Sequence, residues 1–178
     1  NEENNIYRCV NSLLQQSYSN IEVIILDDDS SDNTYSISNE LSKSDSRVNV
    51  IKGKEIPKGW LGKNWACHQL SQKATGDFLL FIDSDTKLKP DLIFDSIKIH
   101  INEDLDLLTL FPNRRTSTFI DKIISVTIGW MIFSWIPIFL VNTSKLPFLS
   151  AAFGQFLLFK KDSYMLIGGH QTIKLEIL

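Results

Sequence analysis

The chain has 178 residues, 43% hydrophobic and 22% charged, which describes one ordinary globular domain with room for a sizeable core. Lys and Arg number 18 against 21 Asp and Glu, a net charge of −3, and no basic stripe appears, so nucleic acid is not an expected partner. An acidic protein that takes a phosphorylated ligand needs local compensation from a metal, a lysine or a helix N-terminus.

The chain opens on Asn1-Glu2-Glu3 with no initiator Met and no visible signal peptide, so it reads as a fragment. Ile6, Cys9, Val10, Leu13 and Leu14 then recur at helical spacing and predict a short amphipathic helix. Residues 21–26 form a β-branched strand that runs into Asp27-Asp28-Asp29-Ser30-Ser31-Asp32-Asn33-Thr34. Acidic and hydroxyl residues there suit the cap of a helix over 33–43. A cap requires one such residue, so the three consecutive aspartates are surplus to it. Residues 48–51 make a short strand. The two cysteines, Cys9 and Cys67, show no metal-ligand spacing and suit a reduced compartment as small apolar residues.

A loop with Pro57, Gly59 and Gly62 follows. Gly62-Lys63 invites a phosphate-loop reading, which fails because Pro57 stands where that pattern needs Gly and Asn64 where it needs Ser or Thr. No dinucleotide fingerprint is present either. Lys63, at a helix start, is either a single charge within reach of a phosphate or a solvated surface lysine. The helix runs over 64–73 and closes at Thr75-Gly76. His68 reads as a helix-face residue.

Phe78-Leu79-Leu80-Phe81-Ile82-Asp83-Ser84-Asp85 is the stretch around which the chain is organised. Its apolar run fits a strand buried on both faces. Ligands of open α/β sheets gather at the carboxyl ends of such strands, where Asp83 and Asp85 stand. Two clustered carboxylates repel unless a cation lies between them, and a hard divalent cation that also binds phosphate is the candidate. The alternative is a solvated turn closing the strand. Pro90 opens a helix that reaches His100, and residues 105–111 make another strand. Helices and strands thus alternate, the pattern of an α/β domain with a mostly parallel sheet flanked by helices.

From Ile123 to Val141 there are 19 residues without a charge, the minimum for spanning a bilayer. Gly129, Ser134 and Pro137 dilute the stretch, and Trp130 and Trp135 favour an interface. For 119–141 a core helix, an interfacial helix and a true span all stay open. A span would put later strands across the membrane from earlier ones, which argues for lying in the surface. Residues 153–159 are a further apolar strand, and a helical turn follows through Ile167. Gly168-Gly169 permit positive φ or close backbone approach beside His170.

With Asn1-Glu2-Glu3, the Asp27–Thr34 run, Asp83-Ser84-Asp85 and Gly168-Gly169-His170 in this order, the chain resembles the family 2 glycosyltransferases, inverting enzymes of the GT-A fold that use nucleotide-activated sugars. Pro57-Lys58-Gly59-Trp60-Leu61-Gly62-Lys63-Asn64-Trp65-Ala66 and the stretch from Gly154-Gln155 to His170 bring it nearer the bacterial branch that glycosylates lipophilic acceptors such as carotenoids. The likeness spans the whole chain; each motif alone is weak, and four in order are fairly specific. It implies a single GT-A domain over 1–178 that lacks its first strand and its C-terminal part. It implies a UDP-sugar as donor, a lipid or carotenoid-like acceptor, Mg²⁺ or Mn²⁺ as cofactor, and a place at the cytoplasmic face of the cell membrane. Asn1 and Glu3 would line the nucleotide site, and Asp27 and Asp28 would hold base and ribose. Asp85 would bind the metal, Asp83 would contact ribose, sugar or metal, and Lys63 would touch phosphate. Gly168, Gly169 and His170 would lie on the acceptor side. Asp29 replaces the usual glycine of its turn, where Asp tolerates the left-handed region. The catalytic base is expected past Leu178, with Glu176 a weak candidate inside the chain. A nucleotidyltransferase, or a non-catalytic nucleotide-binding remnant, remains the alternative.

Overall fold

The computed structural model describes residues 1–113, 118–135 and 152–176. Helix α1, Ile6–Leu14, buries Ile6, Cys9, Val10 and Leu13, one stripe at the predicted spacing. Strand β1, Val23–Asp27, and strand β2, Val48–Lys52, pair in parallel from Val23 opposite Val48 to Asp27 opposite Lys52. Parallel partners need a crossover, and helix α2, Thr34–Ser44, supplies it. Helix α3, Gly62–Lys73, strand β3, Phe78–Ile82, helix α4, Leu92–Asn102, and strand β4, Leu107–Thr109, continue the alternation. Strand β5, Phe156–Lys160, lies between β3 and β4 and runs antiparallel to both. The expectation of a mostly parallel sheet is therefore corrected at β5. Helix α6, Lys161–Leu166, and a 3₁₀ turn, Gly169–Gln171, complete this part.

The chain divides into two compact units, Asn1–Thr109 with Gly154–Leu178, and Leu110–Phe153. In the first, Cys9, Val10, Leu79, Ile93, Leu158 and Tyr164 are buried. Buried Gln16 locks α1 to the start of α4. Its amide donates to the carbonyls of Ser12 (2.9 Å) and Lys89 (2.8 Å), and its oxygen accepts from Ile93 N–H (3.0 Å). Each of these buried backbone groups is thereby satisfied.

The second unit holds helix α5, Phe119–Trp135. Phe119, Val126 and Trp130 are 77%, 72% and 69% exposed, which does not fit a core helix. Among the described residues no helix is long and apolar enough to cross a membrane. Residues 136–141, the end of the predicted apolar segment, lie outside the described residues.

Candidate active site

Two strand ends build the site. Glu22, just ahead of β1, accepts from Thr75 N–H (2.6 Å), Thr75 Oγ1 (2.8 Å) and Gly76 N–H (3.0 Å), just ahead of β3. The amino ends of β1 and β3 are thus tied together, and both strands deliver their carboxyl ends to one place. Asn1, Asp27, Asp28, Lys63, Asp83, Asp85 and His170 all line a single cavity of about 880 Å³. Its wall does not include Glu3, Gly168, Gly169 or Glu176.

The Asp27–Thr34 loop divides its labour. Asp32 does the capping: it accepts from Thr34 N–H (3.0 Å) and from Glu3 N–H (3.2 Å). Asp27 and Asp28 are therefore not needed at the helix end. Asp27 is 7% exposed, and its Oδ1 has no partner among the described residues. A buried carboxylate oxygen without a donor is costly and awaits one. The Asp27 carbonyl accepts from Gly53 N–H at 2.7 Å. Asp28 Oδ1 lies against the same glycine, 2.8 Å from where a Cβ would stand. Asp29 adopts φ 60°, the left-handed conformation read from the sequence. A second cavity of about 350 Å³ opens beside Asp27, Asp28, Lys52, Gly53 and Lys54.

The N-terminus serves this loop. Asn1 Oδ1 accepts from Ser31 N–H (2.8 Å) and Asp32 N–H (3.3 Å). The Glu3 carboxylate accepts from Asn33 N–H (3.1 Å) and Asn33 Nδ2 (2.9 Å). Glu3 thus braces the start of α2, whereas Asn1 reaches the cavity.

On the β3 side, Lys63 stands in the first turn of α3, and its Nζ pairs with Asp83 Oδ1 at 2.8 Å. Its ammonium also lies 3.8 Å from where a Gly154 Cβ would stand. Asp85 is exposed, and its carbonyl accepts from Arg8 Nη2 at 3.3 Å. Among the described residues no three His, Cys, Asp or Glu side chains cluster tightly enough to hold a metal by themselves. The all-oxygen donor set of Asp83 and Asp85 still suits a hard divalent cation, provided a diphosphate supplies further oxygens.

A family model described as Glycosyl transferase family 2 matches residues 1–164. The chain belongs to glycosyl transferase family 2. It is 26% identical, over its whole length, to the 4,4'-diaponeurosporenoate glycosyltransferase of Staphylococcus haemolyticus, of which it covers 46%. It is 40% identical over 86 residues, 48% of the chain and 31% of the relative, to an Escherichia coli UDP-Glc:alpha-D-GlcNAc-diphosphoundecaprenol beta-1,3-glucosyltransferase. The chain thus spans less than half the length of either. Among solved structures it matches the mannosyltransferase PcManGT from Pyrobaculum calidifontis, in complex with GDP-Man and Mn2+, with TM-score 0.66 and 18% identity. That match covers 92% of this chain and 43% of that one. The fold is GT-A.

The Gly168-Gly169-His170 segment of this family 2 chain follows the last matched residue. Gly168 and Gly169 have φ 80° and 52°, as two glycines permit. A Cβ on Gly169 would stand 2.4 Å from the Tyr164 ring. The Tyr164 hydroxyl accepts from His170 N–H (3.2 Å) and lies 2.7 Å from His170 Nδ1. His170 is 3% exposed, and burial, then the charges of His68 and Lys63, push its pKa down from 6.5 to about 4. A neutral, engaged imidazole is a poor proton acceptor, so His170 shapes the cavity wall.

Glu176 is exposed, and its carbonyl accepts from Asn64 Nδ2 (2.8 Å), which also donates to Ile173 O (2.7 Å). Asn64, 1% exposed, therefore pins the 173–176 turn onto α3. Sequence reasoning used Asn64 as a departure from a phosphate loop, as a helix start and within the Pro57–Ala66 motif, but gave no role to its side chain and none to Gly53 or Arg8. Gly53 had a signal, a glycine directly after a strand. Arg8 and Asn64 had none, because their partners are distant in sequence.

Proposed function

We propose that this domain transfers a sugar, with inversion, from a nucleoside-diphosphate sugar to a lipophilic acceptor at a membrane surface. The observation that carries the reading is the convergence of Asp27, Asp28, Asp83, Asp85 and Lys63 on one cavity. The family membership and the names of the relatives, one using UDP-Glc with a diphosphoundecaprenol-linked acceptor, support a UDP-sugar donor and a lipid acceptor. The Mn2+ bound by the mannosyltransferase of similar fold supports a divalent metal.

Asp27, with its unpartnered Oδ1, takes a donor group of the nucleoside, and Asp28 holds its neighbour at the smaller cavity beside Gly53. Asp83 and Asp85 hold Mg²⁺ or Mn²⁺ together with the diphosphate. Bound there, such an ion would supply positive charge against the anionic leaving group. Lys63, paired with Asp83 at 2.8 Å and lining the same cavity, is a single charge that serves either that carboxylate or a phosphate. Inversion also needs a carboxylate within reach of the acceptor hydroxyl. We place that base outside the cavity described, with Glu176 the candidate in this chain. The exposed apolar face of α5 suits the cytoplasmic surface of the cell membrane, where lipophilic acceptors reside.

The test is calorimetric titration with UDP-glucose, UDP-GlcNAc and GDP-mannose in Mn²⁺ or Mg²⁺, beside Asp27→Ala and Asp85→Ala. Saturable binding of at least one donor, weakened about tenfold or more by each substitution, is expected. Binding of none of the three by a folded chain overturns the reading.

A further inference from the structure

The Asp83–Asp85 turn belongs to neither a strand nor a helix: β3 ends at Ile82 and α4 begins at Leu92. Thr86 N–H closes the turn on the Asp83 carbonyl at 3.0 Å. Helix α1 supports the same stretch through residues at helical spacing. Arg8 Nη2 donates to the Asp85 carbonyl (3.3 Å), the Cys9 thiol donates to the Asp83 carbonyl (3.8 Å), and Ser12 Oγ accepts from Leu88 N–H (3.1 Å). The residues ahead of α1 hold the other acidic loop: Glu2 N–H donates to Thr34 Oγ1 (2.7 Å) and Glu3 N–H to Asp32 Oδ2 (3.2 Å). A line of side chains joins the two attachments. Ile6 N–H bonds the Glu2 carbonyl (2.9 Å), so the winding of α1 already starts there, and Glu2, Asn5 and Arg8, three residues apart, share one side of it. Asn5 Nδ2 donates to Glu2 Oε2 (2.9 Å), and Asn5 Oδ1 accepts from Arg8 Nη2 (3.0 Å). The opposite orientation of that amide would set oxygen against carboxylate and NH2 against guanidinium. Asparagine is a favoured cap residue, yet Asn5, at the N-cap of α1, makes no side-chain cap bond. Its amide serves this line instead.

On the reading of those two segments as the metal-diphosphate and nucleoside residues, we infer that Arg8, held by Asn5 and Glu2, is the positioning residue that fixes the Asp83–Asp85 turn at a set spacing from the Asp27–Thr34 loop. A nucleoside diphosphate is one ligand met at both ends, and two loops that must be ordered on binding hold it less tightly than two loops already in place. Stability alone does not account for Arg8. Its Nε is buried without a partner among the described residues, and a buried donor left unpaired is costly. Charge alone does not account for it either. Its Nη2 bonds go to a neutral amide and a backbone carbonyl, so the positive charge stays and repels a divalent cation beside Asp85. Positioning and charge therefore predict opposite effects on metal binding when the guanidinium is removed.

The unmodified chain is compared with Arg8→Met, Asn5→Ala and the double variant. Mn²⁺ is titrated at one fixed concentration of UDP, beside thermal melts and amide exchange. Arg8→Met keeps an unbranched stem and loses the guanidinium. It is expected to weaken Mn²⁺ binding about tenfold, where loss of a positive charge by itself would tighten it. Exchange at Thr86 N–H should quicken about tenfold, while Leu158, inside the three-stranded sheet, exchanges as before. Tm should fall by less than about 3 °C. Asn5→Ala leaves the charge in place and should move Mn²⁺ binding and Thr86 exchange in the same directions. The double variant should bind Mn²⁺ about as Arg8→Met does, because members of one hydrogen-bonded line are not additive. If Arg8→Met does not fold, Asn5→Ala decides by the same two readouts. Unchanged or tighter Mn²⁺ binding in Arg8→Met overturns the inference, and so do fully additive losses in the double variant. A large fall in Tm with Mn²⁺ affinity intact also overturns it, since Arg8 is then a structural residue only. If the unmodified chain binds no UDP in Mn²⁺, the functional reading fails and Thr86 exchange decides the positioning: equal rates in the unmodified and Arg8→Met chains overturn it.

Discussion

Single atoms decide several positions in this domain. Gly169 combines φ 52° with a Cβ position 2.4 Å from Tyr164, so Gly169→Ala must move a buried ring and strain the backbone. A loss of about 2–4 kcal/mol in denaturant unfolding is expected. Gly53→Ala is a different case. Its Cβ would fall 2.8 Å from Asp28 Oδ1 and 3.3 Å from the Asp27 carbonyl, so the carboxylate must turn aside. Donor affinity is expected to fall more than stability, and comparing calorimetry with thermal melts separates the two. His170 makes stability depend on pH. Its folded pKa is lowered from 6.5 to about 4, so protons bind the unfolded chain more tightly. Its contribution is complete above about pH 6.5 and is lost as pH falls toward 4, at most about 3 kcal/mol. His170→Gln, neutral throughout, should flatten the fall of Tm across that window; an unchanged profile refutes the assignment. The surplus of aspartates after β1 was legible, because one cap cannot use them all. The bracing by Glu3 and the pairing of Lys63 with Asp83 were not, since each joins groups at least 20 residues apart.

At the scale of elements, hydrophobic period located almost every helix and strand, with boundaries shifted by a few residues. The direction of β5 was not legible. An apolar five-residue strand buried on its faces reads the same in either direction, and only the route of the chain decides. Residues 110–153 supply that route, and most of them carry no strand or helix signal beyond the apolar stretch itself. Their one described helix, α5, bears a prediction. Ile123, Ile124 and Met131 are about as exposed as polar residues, at 52%, 50% and 51%, alongside Phe119 and Trp130. A contiguous apolar surface of this kind marks a membrane or protein contact. We expect the chain to float with phosphatidylglycerol-containing liposomes and Trp emission to shift to the blue on binding. Ile123→Glu with Val126→Glu should abolish flotation while leaving the melt of the first unit unchanged. A wild-type chain that remains in the soluble fraction contradicts the interfacial reading of α5.

At the scale of the whole molecule, a chain of net charge −3 gathers four aspartates where an anionic ligand is to bind. Coulomb repulsion between unit charges about 4 Å apart is on the order of 1 kcal/mol in water and several times that in a partly buried cleft. Lys63, which lines the same cavity, is already paired with Asp83. Donor binding should therefore be thermodynamically linked to a divalent cation, each tightening the other by the same factor. The chain is titrated with UDP in Mn²⁺ and again in chelator, and about tenfold or greater weakening is expected without metal. Asp85→Ala should remove the metal effect without lowering Tm, because Asp85 is exposed. Lys63→Met separates the two roles of the lysine. It releases Asp83, so binding in Mn²⁺ should largely persist, whereas the residual binding in chelator should weaken further, because the lysine that lines the cavity is gone. Equal UDP affinity with and without metal in the unmodified chain would remove Asp83 and Asp85 from the donor site. The same result in Lys63→Met as in the unmodified chain, under both conditions, would leave the Lys63–Asp83 pair as a surface ion pair, with no part in holding phosphate.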